Sequence, residues 1–452
     1  MYILMQRYYL FILCLSIFFP LNLKSESLIL TDSSWQVIGI KGFSNGEANL
    51  TQLACDHSDT LFIAFYGGTF GQSNVMKFDG INWINTGLTQ LSFNNTLDLS
   101  LAINPSNEPC LAYSHGSASV VRFDGQTWHY IGSPNFFPGY ANGLSLAFDS
   151  SGQPFVAFAE GDNPNKASVM KFNGTAWEFV GQRGFLDSCY FWISIAISPD
   201  NEPWIATLDK DSFVTVMKFD GTNWTTVGNG VYSYTGWFGR VILKFNAVGQ
   251  PFVLFSDDTR FIKVIKLEND YWVMESPLYQ ESDSYSMDFN LDNKPVIAFM
   301  DYNNSDKTTV LQSNGVEWNP IGPYGFSDGS SSYQSIVFNS MNQAYVSYQD
   351  VVHSNFATVM TYKENAVGEE LHLENQLNTY PNPTDDFITI NFPISSNSIK
   401  KIEIYNIDSK IIRSFQSKEG KIKLDVQSYP TGIYFINIDY GGSIYHGKFL
   451  KN

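Results

Sequence analysis

Aromatic and acidic side chains that could bind a ligand recur in Gly-, Asn- and Asp-rich segments between short apolar runs. Rings can stack on sugars, and several carboxylates can hold sugar hydroxyls or a Ca²⁺ ion. The alternative is that loop aromatics fix their loops and acids solvate them. The candidate ligand-binding residues are Phe137, Tyr140, Trp192, Tyr234, Trp237, Asp162, Asp211, Asp258 and Asp301.

Motifs for catalysis are absent from the sequence. The six histidines are scattered without metal-ligand spacing such as HExxH, and there is neither a GxSxG elbow nor a phosphate loop. Two of the acids could still form a polysaccharide hydrolase if they faced each other about 5 to 5.5 Å or roughly 6.5 to 9.5 Å apart. We name no catalytic residue and no cofactor, and Ca²⁺ binding stays a hypothesis.

The composition predicts an all-β protein. Aromatic residues make up 16% of the chain and charged residues only 16%, which is typical of half-buried strands rather than helices. The net charge of −17 argues against a nucleic-acid partner, since binding phosphates requires clustered Lys and Arg.

A ladder of seven tryptophans defines a repeat. Trp35, Trp83, Trp128, Trp177, Trp224, Trp272 and Trp318 are 48, 45, 49, 47, 48 and 46 residues apart. Each unit contains four short apolar runs separated by turn residues, which predicts a four-stranded antiparallel sheet. A period of this length with four strands is typical of β-propeller blades. An aromatic residue repeated at one position indicates packing between blades rather than seven binding sites.

The two ends of the repeat region complete one another. The chain enters at Trp35 with a fourth strand that has no first three before it, and the last unit stops after a third strand at 357–362. We therefore predict a seven-bladed β-propeller over residues 31–362, closed by the N-terminal strand. The loops from the second to the third strand, and from one blade to the next, share one face, the loop-rich face, where the candidate residues lie.

These units resemble repeats of secreted β-propeller proteins of Bacteroidetes-type bacteria, in which segments such as VMKFDGTNWTTVG at 216–228 alternate with segments such as LSLAFDSSGQPFVAF at 144–158. The resemblance implies the architecture and says almost nothing about the ligand. Sialidase propellers carry a different box, in which one residue separates Asp from Gly, whereas Asp79 and Gly80 are adjacent here.

Residues 1–25 are predicted to be a secretory signal peptide, because Arg7 precedes an apolar run that is too short to span a bilayer. Cys14 lies inside that run without a convincing lipobox. Signal cleavage would leave Cys55, Cys110 and Cys189, which support neither a metal site nor a disulfide framework and are predicted to be buried thiols.

A polar linker at 363–372 is predicted to precede a small β-sandwich at 373–452, where apolar residues alternate, as at Ile388 and Ile390. This tail resembles the type A C-terminal sorting domain of type IX secretion, with its motifs in the family's order. The matching motif residues are Tyr380, Pro381, Asn382 and Pro383 at its start and Lys448, Phe449 and Leu450 at its end.

The resemblance implies export by the type IX machinery and a secreted or outer-surface location, with no transmembrane segment in the mature chain. The predicted function is a secreted or surface binding and adhesion module for a glycan or a protein. The alternative is a polysaccharide-active hydrolase that uses the acids of the loop-rich face.

Overall fold

The computed structural model describes residues 34–68, 71–88, 98–161, 165–228, 232–234, 240–364, 377–391, 400–406, 410–440 and 443–452. The predicted signal peptide lies outside these ranges. The chain divides between Glu364 and Asn365 into two compact units. Within these ranges the first unit contains seven antiparallel sheets, each with a path of four strands, which we number as blades 1 to 7 in chain order. The all-β propeller fold is confirmed.

The blades share one strand order, and their bounds are as follows. Strand β1 (Ser34–Val37) comes first; blade 1 is β2 (Ala48–Cys55), β3 (Leu61–Gly67), β4 (Gln72–Phe78) and β5 (Trp83–Asn85); blade 2 is β6 (Asp98–Ile103), β7 (Pro109–His115), β8 (Ser117–Phe123) and β9 (Trp128–Tyr130); blade 3 is β10 (Ala141–Phe148), β11 (Pro154–Glu160), β12 (Lys166–Phe172) and β13 (Trp177–Phe179).

The second half of the propeller follows the same scheme. Blade 4 is β14 (Cys189–Ile197), β15 (Pro203–Asp209), β16 (Phe213–Phe219) and β17 (Trp224–Thr226), with β18 (Tyr232–Tyr234) pairing to β16; blade 5 is β19 (Ile242–Phe245), β20 (Pro251–Ser256), β21 (Ile262–Glu268) and β22 (Tyr271–Met274); blade 6 is β23 (Tyr285–Phe289), β24 (Pro295–Asp301), β25 (Lys307–Ser313) and β26 (Trp318–Pro320); blade 7 is β27 (Ser331–Phe338), β28 (Ala344–Asp350), β29 (Phe356–Lys363) and β1. Short 3₁₀ turns at Tyr302–Asn304 and Val351–His353 follow β24 and β28.

The blades pack face to face around a central axis. The first strand of each blade contacts the first strand of the next in a closed cycle, so these strands are innermost. The second strand lies within the sheet and is covered on both faces; every residue of β11 and β20, for example, is buried. This burial accounts for the near-continuous apolar runs at these positions, because a strand covered on both faces needs no polar side.

The N-terminal strand closes the ring as the sequence predicts. Strand β1 pairs antiparallel with β29, with Trp35 opposite Tyr362. The Trp35 indole stacks on Phe326 with ring centroids 4.4 Å apart, and its Nε1 donates to the carbonyl of Ile321 at 2.9 Å. Blade 7 is therefore built from both ends of the repeat region.

The other six repeat tryptophans also contact the preceding blade, which supports their interpretation as packing residues. Each indole N–H donates a hydrogen bond there, to a backbone carbonyl in five cases and to the Thr86 hydroxyl in the case of Trp128. The pairs are Trp83 with Ile38, Trp128 with Thr86, Trp177 with Ile131, Trp224 with Val180, Trp272 with Val227 and Trp318 with Ser276.

A second set of bonds lies near the axis, where a serine on the first strand accepts an N–H from the following blade. Ser145, for example, accepts from Ile195 at 3.0 Å. The other pairs are Ser100 with Leu146, Ser194 with Leu243, Ser286 with Ile336 and Ser335 with Leu53. In blade 1 the Gln52 side chain bonds to the backbone of Leu99 and Leu101 instead, and blade 5 has Ile242 at this position.

A third set links the turns between first and second strands. The Asn or Asp that ends such a turn accepts an N–H from the turn of the preceding blade. The pairs are His57 with Asn107, Ser150 with Asn201, Ala247 with Asn293, Leu291 with Asn342 and Ser340 with Asp59.

The boundaries between blades 2 and 3 and between blades 4 and 5 lack both the donor and the acceptor of this turn-to-turn hydrogen bond. At the donor position blades 2 and 4 have Pro105 and Pro199, which carry no N–H, and at the acceptor position blades 3 and 5 have Gly152 and Gly249, which carry no side chain. The donor and the acceptor are thus missing together.

The second unit is a β-sandwich. One sheet contains β30 (Asn378–Tyr380), β31 (Phe387–Asn391) and β34 (Lys421–Asp425); the other contains β32 (Lys400–Asn406), β33 (Ile411–Ser417), β35 (Gly432–Tyr440) and β36 (Ser443–Lys451). The predicted alternating residues Ile388 and Ile390 on one sheet and Ile402 and Ile404 on the other are fully buried in a shared core.

Ring closure can be tested by deletion. Removing residues 34–41 takes away β1 and the Trp35 contacts, so we expect a markedly lower unfolding temperature. All ten tryptophans precede residue 364, so their fluorescence reports on the propeller alone. Trp35→Ala should cost about 3 kcal/mol or more, whereas Tyr271→Ala, at an exposed ring, should stay within about 0.5 kcal/mol. An unchanged melting curve for the deletion would contradict closure by β1.

The paired absence at Pro105 and Gly152 can be tested by a double-mutant cycle. Pro105→Ala restores an N–H and Gly152→Asn supplies an acceptor, in a backbone with φ of +85° that Asn tolerates. A Cβ added at Gly152 would have room, because its nearest neighbour would be the Pro105 ring at 4.0 Å. Each single variant lacks a partner, so the double variant should be more stable than the sum of the two by about 1 kcal/mol. Urea unfolding measures this coupling; a value near zero would count against the proposed bond.

Candidate ligand-binding site at the centre of the ring

Asp301, at the end of the second strand of blade 6, anchors loops rather than facing a ligand. Asp301 is 0% exposed, and its carboxylate accepts from the Thr309 hydroxyl at 2.7 Å and from the Asn304 amide at 2.8 Å. Thr309 Oγ1 in turn accepts the N–H of Gly325 at 2.8 Å. Asp301 therefore ties its own loop to the loop that leads into blade 7. The prediction that Asp301 contacts a ligand is corrected on this ground.

The same chain of bonds recurs in two other blades. In each, a glycine N–H donates to a Ser or Thr hydroxyl on the third strand, which donates to the acid. The residues are Gly184, Ser168 and Glu160 in blade 3 and Gly42, Thr358 and Asp350 in blade 7. The recurrence of an acid before the loop and a Ser or Thr after it was the sequence signal for this role.

The other predicted acids are not brought together by the described structure. Asp211 is exposed and pairs with Lys210, its Oδ2 lying 2.6 Å from the Lys210 Nζ. Asp258 is exposed in the turn after β20, and Asp162 lies outside the described residues. No described pair of these acids supports a hydrolase.

The predicted aromatics divide between core and surface. Phe137 is 1% exposed and packs against Phe158, with centroids 4.6 Å apart, so its assignment to a ligand-binding surface is corrected. Tyr140 is 65% exposed on the loop-rich face. Only the backbone of Tyr234 is described, in β18, and Trp237 lies outside the described residues.

Of the predicted aromatic residues whose side chains are described, Trp192 is the one that lines the centre of the ring. It lines a central cavity of about 370 Å³ whose wall is formed by the first strands of all seven blades. The axial serines Ser100, Ser145, Ser194, Ser286 and Ser335 are part of the wall. Each uses its oxygen to accept a backbone N–H, and among the described residues no acceptor takes the hydroxyl hydrogen of any of them.

Arg240 stands beside Trp192 in this cavity. Its guanidinium carbon lies 4.6 Å from the indole centroid, and its backbone carbonyl accepts from the Tyr285 hydroxyl at 2.7 Å. Within the described part of the chain the guanidinium makes no hydrogen bond and no ion pair. Composition and spacing did not identify Arg240, because it occurs once and has no counterpart in the other blades.

Asp98 provides a nearby negative charge. It is 5% exposed, and its carboxylate accepts the N–H groups of Leu99, at 2.9 Å, and Leu144. Burial raises the pKa of Asp98 to about 6, against the opposing effects of the Arg240 charge and these two donors. No motif or spacing in the sequence distinguishes Asp98 from the other acids.

Across the described ranges, no cluster of three or more His, Cys, Asp or Glu side chains is suited to hold a metal ion. Ca²⁺ binding therefore stays a hypothesis from the sequence. The cysteines Cys55, Cys110 and Cys189 are free thiols, two of them buried and Cys55 half-buried.

The two end motifs of the C-terminal unit meet in space. The Asn382 side chain donates to the Lys448 carbonyl at 3.1 Å and accepts the Leu450 N–H at 2.9 Å. Phe449 between them is fully buried and stacks on Tyr434, with ring centroids 5.2 Å apart. Tyr380, Pro381 and Pro383 flank Asn382 in the entry segment, and Tyr380 is 42% exposed. The motif residues thus fasten the first segment of the sandwich to its last strand.

Residues 378–452 match the family model described as secretion system C-terminal sorting domain. This unit is a type IX sorting domain. The sorting domain means that the protein is secreted or located on the outer cell surface and is handled by the type IX secretion machinery. In the described residues no helix is both long and apolar enough to cross a membrane.

None of the curated proteins matches the chain. Among solved structures it is similar to PorZ of Porphyromonas gingivalis, a surface component of type IX secretion, at 13% identity and a TM-score of 0.46; the match covers 90% of this chain and 59% of PorZ. An ulvan lyase of polysaccharide lyase family 25, bound to an oligosaccharide, is 11% identical with a TM-score of 0.46, covering 71% and 94% of the two chains. AofleA from Arthrobotrys oligospora is 10% identical with a TM-score of 0.43, covering 64% and 88%.

The structural role of Asp301 predicts a contrast with Asp258. Asp301 also accepts the backbone N–H of Asn303 at 3.1 Å. Asp301→Ala leaves this N–H, the Thr309 hydroxyl and the Asn304 amide without their acceptor, so it should lower the free energy of unfolding by about 2 to 4 kcal/mol. Asp258→Ala, at an exposed turn, should change it by no more than about 0.5 kcal/mol. Urea unfolding followed by tryptophan fluorescence compares them; equal effects would argue against the anchoring role.

Proposed function

We propose that the propeller is an extracellular binding module that takes a glycan into the mouth of its central cavity. The observation that carries this proposal is the combination of the Trp192 indole with a ring of serine hydroxyls whose hydrogens have no acceptor among the described residues. A sugar offers a C–H face that stacks on an aromatic ring and hydroxyl oxygens that accept hydrogen bonds. The cavity provides both kinds of partner.

The volume of the cavity suits a short segment of glycan rather than a long chain. At about 370 Å³ the cavity is at the small end of ligand pockets, which span roughly 300 to 1,000 Å³. Tyr140, 65% exposed on the loop-rich face, is available to a longer ligand outside the cavity. Export to the cell exterior gives the module access to extracellular polysaccharide.

The hydrolase alternative has less support. It requires two carboxylates that face one pocket, whereas Asp301 is committed to its loops and Asp211 to Lys210. Binding without bond cleavage needs only the stacking and hydroxyl groups already described. Adhesion of a cell through this surface would follow from glycan binding and stays a prediction.

Glycan binding is testable on the exported chain. A glycan array followed by calorimetry on the strongest ligand should show an affinity that Trp192→Ala lowers by about tenfold, the loss expected for one stacking contact of roughly 1.5 kcal/mol. Tyr271→Ala removes an exposed aromatic on blade 5 outside the cavity and should leave the affinity unchanged. An array without any ligand, or a ligand insensitive to Trp192→Ala, would overturn the proposal.

A further inference from the structure

We infer that the central cavity selects an anionic group, a carboxylate or a sulfate ester on the ligand, and that Arg240 is the residue that binds it. The inference rests on the proposed function, because it assigns a chemical class to the glycan bound in the same cavity. Its basis is that Arg240, unlike the other cation in the cavity wall, forms no ion pair among the described residues.

The guanidinium of Arg240 is half-buried and has no ion-pair partner within hydrogen-bonding distance among the described residues. A charge withdrawn from water is costly unless it is paired, and acids are abundant in a chain of net charge −17. Lys244, the other cation in the cavity wall, shows the usual arrangement, since its Nζ lies 2.9 Å from Asp288 Oδ1. Arg240 instead lies over the Trp192 ring, and among the described residues no acceptor takes the N–H groups of its guanidinium.

A guanidinium edge is suited to carboxylates and sulfates. Its N–H groups form a fixed fork that donates two parallel bonds to a planar or tetrahedral oxyanion. The stacked indole restricts the rotation of the side chain, so less conformational entropy is lost when the anion binds. The serine hydroxyls add neutral donors. Asp98 is close enough for the Arg240 charge to lower its pKa, but its carboxylate accepts the N–H groups of Leu99 and Leu144 and forms no ion pair with Arg240 among the described residues.

The position of Arg240 in the ring is also informative. Blade 5 is the blade in which Ile242 replaces the axial serine, so the repeat is broken there on its innermost strand. Arg240 precedes Ile242 by two residues on the same blade. Packing between blades does not need an arginine that lacks an ion-pair partner among the described residues, whereas binding of an anion does need a cation at the cavity wall.

Paired saccharides test the charge preference by calorimetry on the exported chain. The first pair is trigalacturonate, which carries carboxylates, and its neutral methyl ester. The second pair is sulfated galactotriose and the neutral, unsulfated form. We expect the charged member of at least one pair to bind more tightly, and Arg240→Gln to weaken it by about tenfold or more, as for loss of a charged hydrogen-bond pair. The affinity of Arg240→Lys for the charged saccharide should lie between those of the native chain and of Arg240→Gln. Arg260→Gln, which removes an arginine outside the cavity wall, is the matched control and should have no effect.

The outcomes separate the two proposals. Neutral and charged members that bind equally, or a charged ligand insensitive to Arg240→Gln, would overturn the anion inference and leave glycan binding intact. If no saccharide binds, glycan binding fails, and a second measurement judges the anion site. In this measurement the unfolding temperature is compared in sodium sulfate and in sodium chloride at equal ionic strength. Sulfate should raise the unfolding temperature of the native chain more than that of Arg240→Gln. Equal stabilisation of both proteins would refute the anion site.

Discussion

A four-stranded sheet with two apolar faces cannot bury both of them by itself, and every blade therefore depends on the blades beside it. Packing between faces supplies most of the stabilisation, since each net hydrogen bond contributes only about 1 kcal/mol. The bonds between blades have another role, which is to fix how each sheet is rotated and displaced relative to the next. They do so at three distances from the axis, through the axial serines, the turn amides and the outer indoles.

The architecture was predictable because the sequence pattern of one blade recurs along the chain. The tryptophan ladder and the two incomplete ends predicted the sheets, their order and the closing strand, and β1 paired with β29 confirms that closure. The sandwich was predictable from alternation at Ile388, Ile390, Ile402 and Ile404, all of which are fully buried. Local pattern decides such features, because strands in a small core must alternate between its two sides.

The site was predictable only in part. Trp192 was identified from its loop, but Phe137 is core and its neighbour Phe136 stacks on Trp177. The position of these two rings in a loop did not show that both pack into the blades. The sequence pattern suggested a binding role for Asp301 because an acid in a loop looks the same whether it faces solvent or accepts three local donors. Arg240 and Asp98 were missed because each occurs once, without a counterpart at the same position in the other blades, so the repeat pattern does not mark them.

The pairing of Pro105 with Gly152 and of Pro199 with Gly249 shows how each blade depends on the blades beside it. Repeat proteins grow by duplication of units, and a duplicated blade brings its own turn to a new neighbour. A blade with proline at the donor position is matched here by a following blade with glycine at the acceptor position, at both places where proline occurs. Each boundary between blades therefore has its own matched pair of turns, and exchange of a single blade would disturb two boundaries at once. The order of the blades is consequently constrained by how their turns match.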